Sequence, residues 1–275
     1  MPVSPPLARR IELARTLVTS QIPVFDASFG AVPSEWKPDG SRVTSADLAI
    51  SANLRHALLA AFPEDQFCSE EMVGDECPLA LTSIYVWMVD PIDGTNNYAL
   101  GIPSCAIALA LFAHGEPVYG VIYDYGRKRL IYGGPGHGVF DGDAPARVSL
   151  APAGVRSIIG FHSPVERGRY PGHAEAIINA FKIRGMGSST LHLAYTAIGL
   201  LDGTVDHNVK LWDIAAAIPL VRAAGGEVRF LGRSPLPLRT FDLNMARIFY
   251  VAGSAAMCDA LGRILTAEEL PRPKV

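Results

Sequence analysis

Asp90-Pro91-Ile92-Asp93-Gly94-Thr95 decides how this chain is read, because it closes an apolar, β-branched and aromatic run at 84–89. Such a run predicts a buried strand that delivers Asp90 at its C-terminal end. Two carboxylates three residues apart at that place repel each other unless a cation or a proton lies between them. Pro91 fixes one φ angle and Gly94 permits one that a side chain forbids, so the turn can aim both carboxylates and the Ile92 carbonyl at one point. Hard oxygen ligands around a point suit Mg²⁺, Mn²⁺ or Ca²⁺. If residues 95–98 open a helical turn, its free N–H groups face the same place and can hold a phosphate oxygen. The plainer alternative is an Asp-Pro/Asp-Gly turn with surface carboxylates.

Upstream, the spacing of Leu7, Ile11, Ala14, Leu17 and Val18 predicts an amphipathic helix over 7–20. A second helix is expected over 46–61, starting at Thr44-Ser45, stopping at Phe62-Pro63 and presenting Asp47 in its first turn. Glu70-Glu71 follows the short apolar segment Phe67-Cys68-Ser69, which can bring Glu70 to the same sheet edge; taken alone, such a pair is commonly a solvated loop. Downstream, strands are expected at 104–112, 117–123 and 129–132, joined by tight turns.

The Pro/Gly/Ala-rich stretch 142–154 divides this half, expected as an N-terminal α+β subdomain over 1–145, from a C-terminal α/β subdomain over 146–275. There, strands at 157–161, 183–186 and 248–252 and a strand or loop at 203–209 alternate with helices at 173–181, 190–200, 214–224 and 254–266. Residues 271–275 read as frayed. Trp212-Asp213-Ile214-Ala215-Ala216-Ala217 sets an aspartate at the start of a helix of small residues, as a plain N-cap or as something more.

With 275 residues, 49% hydrophobic and 19% charged, the chain is long enough for about two domains or one large layered unit and falls among soluble globular proteins. Its 24 Lys+Arg against 27 Asp+Glu give a net charge of −3, so no global cationic field attracts a nucleic acid polymer. The N-terminus lacks an apolar run of secretory length, and the longest aliphatic stretch, 105–113, falls far short of the roughly 20 residues that cross a bilayer. Neither export nor a membrane span is expected. Cys68, Cys77, Cys105 and Cys258 form no CxxC pair and read as buried thiols in a reducing compartment, so a cytoplasmic location is expected. The histidines, including His162, His173, His192 and His207, show no HxxxH or HxH spacing, which argues against zinc. Gly134-Pro135-Gly136-His137-Gly138 reads as a hairpin turn rather than a dinucleotide loop.

Together, Thr44-Ser45-Ala46-Asp47, Glu70-Glu71, the Asp90–Thr95 block and Trp212-Asp213-Ile214-Ala215-Ala216 closing on Ala224-Gly225-Gly226 resemble the inositol monophosphatase family of magnesium-dependent, lithium-sensitive phosphatases. The resemblance implies a layered αβαβα sugar-phosphatase sandwich, usually homodimeric. It implies that Glu70, Asp90, the Ile92 carbonyl, Asp93 and Asp213 hold two or three Mg²⁺ ions, Mn²⁺ being possible, and that Asp47 and Thr95 with Glu70 orient and activate water. Gly94 and Thr95 are implied to hold phosphate, beside Asp93, and Gly187-Ser188-Ser189 to contact the substrate. Asp206 stands where inositol-specific relatives carry a glutamate that accepts hydrogen bonds from ring hydroxyls.

The implied activity is hydrolysis of a small phosphorylated metabolite, a polyol or sugar-type phosphomonoester such as inositol monophosphate. The alternatives are histidinol phosphate, since Ala217-Ile218-Pro219-Leu220 resembles the corresponding helix of histidinol-phosphatase-like members more than the glycine-containing helix common in inositol-specific ones, a fructose bisphosphate and a 3′-phosphonucleotide. From another class, a catalytically idle scaffold is the competing reading, and the presence of Asp47, Thr95 and every metal ligand counts against it. Lys210, beside Trp212, is a substrate contact or a solvated lysine.

Overall fold

Alternation along the strands builds the layers. In the computed structural model, which describes residues 5–31, 33–37, 40–72, 76–166 and 168–266, the residues of each central strand point by turns to two different apolar cores. The expectation for 271–275 lies outside these residues.

Among the described residues the larger sheet has seven strands in the order β10-β9-β8-β7-β6-β5-β3. These are β3 (Gln66–Ser69), β5 (Tyr85–Asp93), β6 (Ala106–Ala113), β7 (Glu116–Asp124), β8 (Arg129–Gly134), β9 (Gly138–Asp141) and β10 (Ala144–Pro145). The smaller has five, in the order β12-β11-β13-β16-β14, from β11 (Ile158–Phe161), β12 (Lys182–Arg184), β13 (Gly203–Val209), β14 (Glu227–Phe230) and β16 (Ile248–Gly253). Two short ribbons pair β1 (Ser34–Trp36) with β2 (Arg42–Thr44), and β4 (Leu79–Ala80) with β15 (Thr240–Phe241).

On β6, Ile107, Leu109 and Leu111 face α1 (Pro5–Ser20), α2 (Ile22–Ser28) and α3 (Ser45–Ala61), through residues such as Val18, Phe25 and Leu54. Ala106, Ala108, Ala110 and Phe112 face the other way, into a core shared with α6 (Ser189–Ala197), α7 (Leu211–Ala215) and α8 (Ala217–Ala223). That core continues to Tyr250 and Ala252 of β16, while Val251 between them joins Ile177 of α5 (His173–Ala180) and Leu261 of α9 (Ala255–Leu265) on the far side. The result is helices, sheet, helices, sheet, helices: the expected αβαβα sandwich. Contact between the central layers is close enough that a Cβ on Gly120 of β7 would lie 1.8 Å from the Ala216 carbonyl oxygen.

The helix expected over 214–224 is in fact two pieces, α7 and α8, meeting at Ala216. Pro219 explains the break, because it has no N–H to donate to Ala215 four residues back and its ring crowds that carbonyl. The strand expected to end at Asp90 runs on to Asp93, and 203–209 is a strand. A short α4 (Thr95–Leu100) follows, capped by Gly94 at φ 81°.

Candidate active site

Asp90 and Asp93 are an odd number of residues apart, so on a regular strand their side chains would point to opposite faces. The pairing of β5 with β6 shifts between them: Asp90 faces Ala108 and Asp93 faces Ala106, three residues against two. This bulge at Pro91, which has no N–H for the ladder, turns both carboxylates to one side. Register supplies the third group. Ser69 of β3 lies beside Val89 in parallel pairing, and the Glu70 N–H donates to the Val89 carbonyl (3.3 Å), so Glu70 falls next to Asp90. The fourth comes from the other half of the chain on α7, where the Lys210 N–H donates to Asp213 Oδ2 (2.8 Å).

Oxygens of Glu70, Asp90 and Asp213 lie within 4.8 Å of one another. Burial holds the carboxyls of Asp90 and Asp213 well above the usual carboxylate range, and repulsion within the cluster adds to it. Asp93 is pushed up to about 7 by burial, against the pull of hydrogen bonds from the Ser188 hydroxyl and the Thr190 N–H (3.0 Å). Asp90 Oδ1 is buried with no hydrogen-bond partner. A carboxylate with an orphaned buried oxygen, set beside two further carboxylates, is a costly arrangement unless a cation sits among them. The donor set, all hard oxygen, fits a divalent cation of the Mg²⁺ type.

A cleft of about 380 Å³ opens over this cluster. At its edge Thr95 Oγ1 donates to the Ile92 carbonyl (2.8 Å) and lies 3.4 Å from Asp47 Oδ1. Asp47 sits in the first turn of α3, and its Oδ2 accepts from the Thr44 N–H (2.7 Å) and hydroxyl (2.5 Å). Burial raises its carboxyl to about 6 in spite of those bonds. Gly94 cannot carry a side chain, since a Cβ would meet the Ser104 carbonyl oxygen at 2.9 Å and that of Gly187 at 3.1 Å. Asn97 fastens the two segments behind it, donating 2.7 Å bonds to the carbonyls of Ser104 and Met186.

The remaining residues expected at the site divide in two. Gly187 and Ser189 line the cleft, whereas Ser188 caps α6 and is buried against Asp93. Asp206 has no exposed surface: it accepts from Ser189 Oγ (2.9 Å) and from the Asn208 N–H (3.0 Å), with His162 Nδ1 at 3.8 Å. Ser189 and His162, which line the cleft, thus stand between it and Asp206. Lys210 lines the cleft partly buried, its ammonium bonded to the Met245 carbonyl, so it is not a freely solvated lysine.

Several residues around the site carry no motif of their own. The Lys37 ammonium reaches Glu70 (2.8 Å) and Glu71 (2.6 Å). Burial opposes its charge, yet the two carboxylates prevail and its pKa is raised. Arg42, His162 and Arg247 complete the cleft wall. The fold also gathers His162, His192 and Asp206, a grouping that linear spacing hides. His192 Nε2 accepts the Met186 N–H (3.0 Å), which leaves the ring proton on Nδ1 and makes His192 a poor metal ligand.

Residues 11–259 match the model of the inositol monophosphatase family. Inositol-1-monophosphatase ImpA of Mycolicibacterium smegmatis is 36% identical over 233 residues, 81% of each chain. Among solved structures, the extragenic suppressor protein suhB from Bartonella henselae superposes with a TM-score of 0.78 at 26% identity, covering 96% of this chain and 100% of that one. An IMPase/NADP phosphatase complexed with Mg²⁺ and phosphate shares the fold, with a TM-score of 0.78 at 23% identity over 98% of both chains.

Proposed function

The chain belongs to the inositol monophosphatase family, a Mg²⁺-dependent family of phosphoric monoester hydrolases, and we infer that its cleft hydrolyses a small polyol phosphate of the inositol monophosphate type. The observation that carries this reading is the convergence of Glu70, Asp90 and Asp213 with the orphaned Asp90 oxygen, an arrangement that a bound cation would stabilise.

Glu70, Asp90, Asp93, Asp213 and the Ile92 carbonyl are the residues that would hold two or three Mg²⁺ ions, or Mn²⁺ in their place. Such ions, when bound, reverse the local field for a phosphate dianion, lower the pKa of water and neutralise the departing alkoxide. The Thr95 hydroxyl, whose proton rests on the Ile92 carbonyl (2.8 Å), would turn it to Asp47 Oδ1 (3.4 Å) as it accepts the proton of the attacking water, and Glu70 helps fix that water. The raised carboxyl of Asp47 suits a proton acceptor working near neutral pH. Gly94 and Thr95, at the opening of α4, present backbone N–H groups to a phosphate oxygen. Lys37 holds Glu70 in place when cations are scarce.

His162, Asn208 and Arg247 line the cleft where the alcohol part of the ester would lie, and they offer hydrogen bonds to hydroxyls. Asp206, the carboxylate that would attract the ammonium of histidinol phosphate, is covered, so a hydroxylated leaving group is preferred. We further propose a cytoplasmic homodimer inhibited by lithium. Among the described residues no helix is long and apolar enough to cross a membrane.

Phosphate release from inositol monophosphate, histidinol phosphate and an aryl phosphate, each with Mg²⁺, tests the reading. The polyol ester should give the highest kcat/KM. Preference for histidinol phosphate would overturn the substrate assignment, and no release from any ester would favour an idle scaffold.

A further inference from the structure

A second cavity lies outside the catalytic cleft. It measures about 780 Å³ and is walled by the loop after β14, the entry to β16 and the residues just before α5. Four arginines line it: Arg169, Arg233, Arg239 and Arg247. Among the described residues lining it there is no aspartate or glutamate, in a chain whose net charge is −3. Nor do the four guanidiniums pair with carboxylates elsewhere among the described residues: Arg247 donates to the Asn208 carbonyl (3.1 Å), and Arg169 lies 5.3 Å from the Tyr170 ring centroid. Like charges gathered without a counter-charge repel one another, and the fork of a guanidinium matches phosphate oxygens in pairs.

The apolar side of the cavity has a definite shape as well. Tyr170 and Phe249 line it with ring centroids 5.0 Å apart, presenting aromatic surface beside the cationic wall. Its volume lies in the range that encloses a small organic ligand. We propose that this cavity binds a nucleoside polyphosphate, with the phosphates on the arginines and the base against Tyr170 and Phe249. Arg247 also lines the catalytic cleft, so the ligand lies next to the substrate without occupying the carboxylate cluster. This assignment stands apart from the hydrolytic reading, because Arg233 and Arg239 are absent from the cleft lining.

Titration calorimetry on the full, Mg²⁺-loaded chain tests it, with a non-hydrolysable nucleoside triphosphate analogue and with inorganic tripolyphosphate as ligands. Wild type should bind the analogue saturably and tripolyphosphate more weakly. Arg233→Glu/Arg239→Glu should weaken analogue binding by at least about tenfold, with melting temperature and aryl phosphate hydrolysis unchanged. If that pair of charge reversals does not fold, Arg233→Gln/Arg239→Gln should show a loss in the same direction. Equal affinity in wild type and variant, no saturable binding at millimolar analogue, or tripolyphosphate bound as tightly as the analogue would each overturn the proposal.

Discussion

Asp90 on β5 and Asp213 on α7 bring carboxylate oxygens within 4.8 Å of each other, although one belongs to the seven-stranded sheet and the other follows a strand of the five-stranded sheet. Asp90 is buried and Asp213 half-buried; burial first, and neighbouring carboxylates second, holds both carboxyls well above the normal range, Asp213 adding to the rise at Asp90 and Asp93 and Glu70 to that at Asp213. A cation held between them would turn that repulsion into attraction and tie the two sheets together at this point.

Asp90→Asn should therefore separate stability from activity. Removing one repelling charge leaves the shape intact, so without divalent cations the variant should melt at or above the wild-type temperature. Its phosphate release with saturating Mg²⁺ should fall by at least about a hundredfold, because the cation loses a ligand. Turnover close to wild type would remove Asp90 from the ligand set.

Thr95→Ala should lower kcat by about a hundredfold while leaving KM nearly unchanged, since the hydroxyl acts on the attacking water rather than on bound substrate. Thr95→Ser keeps the hydroxyl that donates to the Ile92 carbonyl and should recover most of the rate. A KM effect in place of a kcat effect would make Thr95 a binding group.

His162→Ala should reduce kcat/KM for inositol monophosphate and spare an aryl phosphate, whose leaving group has no hydroxyl for the imidazole. Asp206→Ala should hurt both substrates and lower the melting temperature, because the buried carboxylate fixes Ser189 and the backbone at Asn208. If Asp206→Ala impaired only the polyol ester, with the fold unaffected, the direct contact expected from the sequence would be reinstated.

Acid should weaken the fold through His207. Burial first, and His173 second, lower its pKa to about 3. Its unfolded value is about 6.5, so between these limits the unfolded chain binds the proton that the folded chain refuses. Its contribution is intact above about pH 6.5 and is lost as pH falls toward 3, about 2 kcal/mol having gone by pH 5. The buried aspartates of the cleft act in the opposite sense, so the reading is the difference between wild type and His207→Gln in urea unfolding at pH 7 and pH 5. Wild type should lose about 2 kcal/mol more than the variant over that interval. Parallel losses would place a charged His207 in the native state.

Much of the architecture could be read from the chain because its information is local. The Asp90–Thr95 block carries its own strand, its proline and its glycine, and only the bulge that turns both aspartates to one side needed the partner strand. Glu70 was ambiguous for a physical reason: its place is set by the register of β3 on β5, a pairing that leaves no trace in a four-residue strand. The expected 214–224 helix overlooked what Pro219 does to Ala215. Lys37, His162 and Arg247 are illegible as site residues in the sequence, since distant parts of the chain bring His162 and Arg247 to the cleft wall and Lys37 to Glu70.

The most direct test of the central claim is the rate of phosphate release from inositol monophosphate as Mg²⁺ is removed with a chelator and then returned. The cleft described here should lose its activity as the cation is withdrawn and regain it on replenishment. Hydrolysis that persists undiminished in excess chelator would contradict the assignment of Glu70, Asp90, Asp93 and Asp213 as the ligands of a catalytic cation.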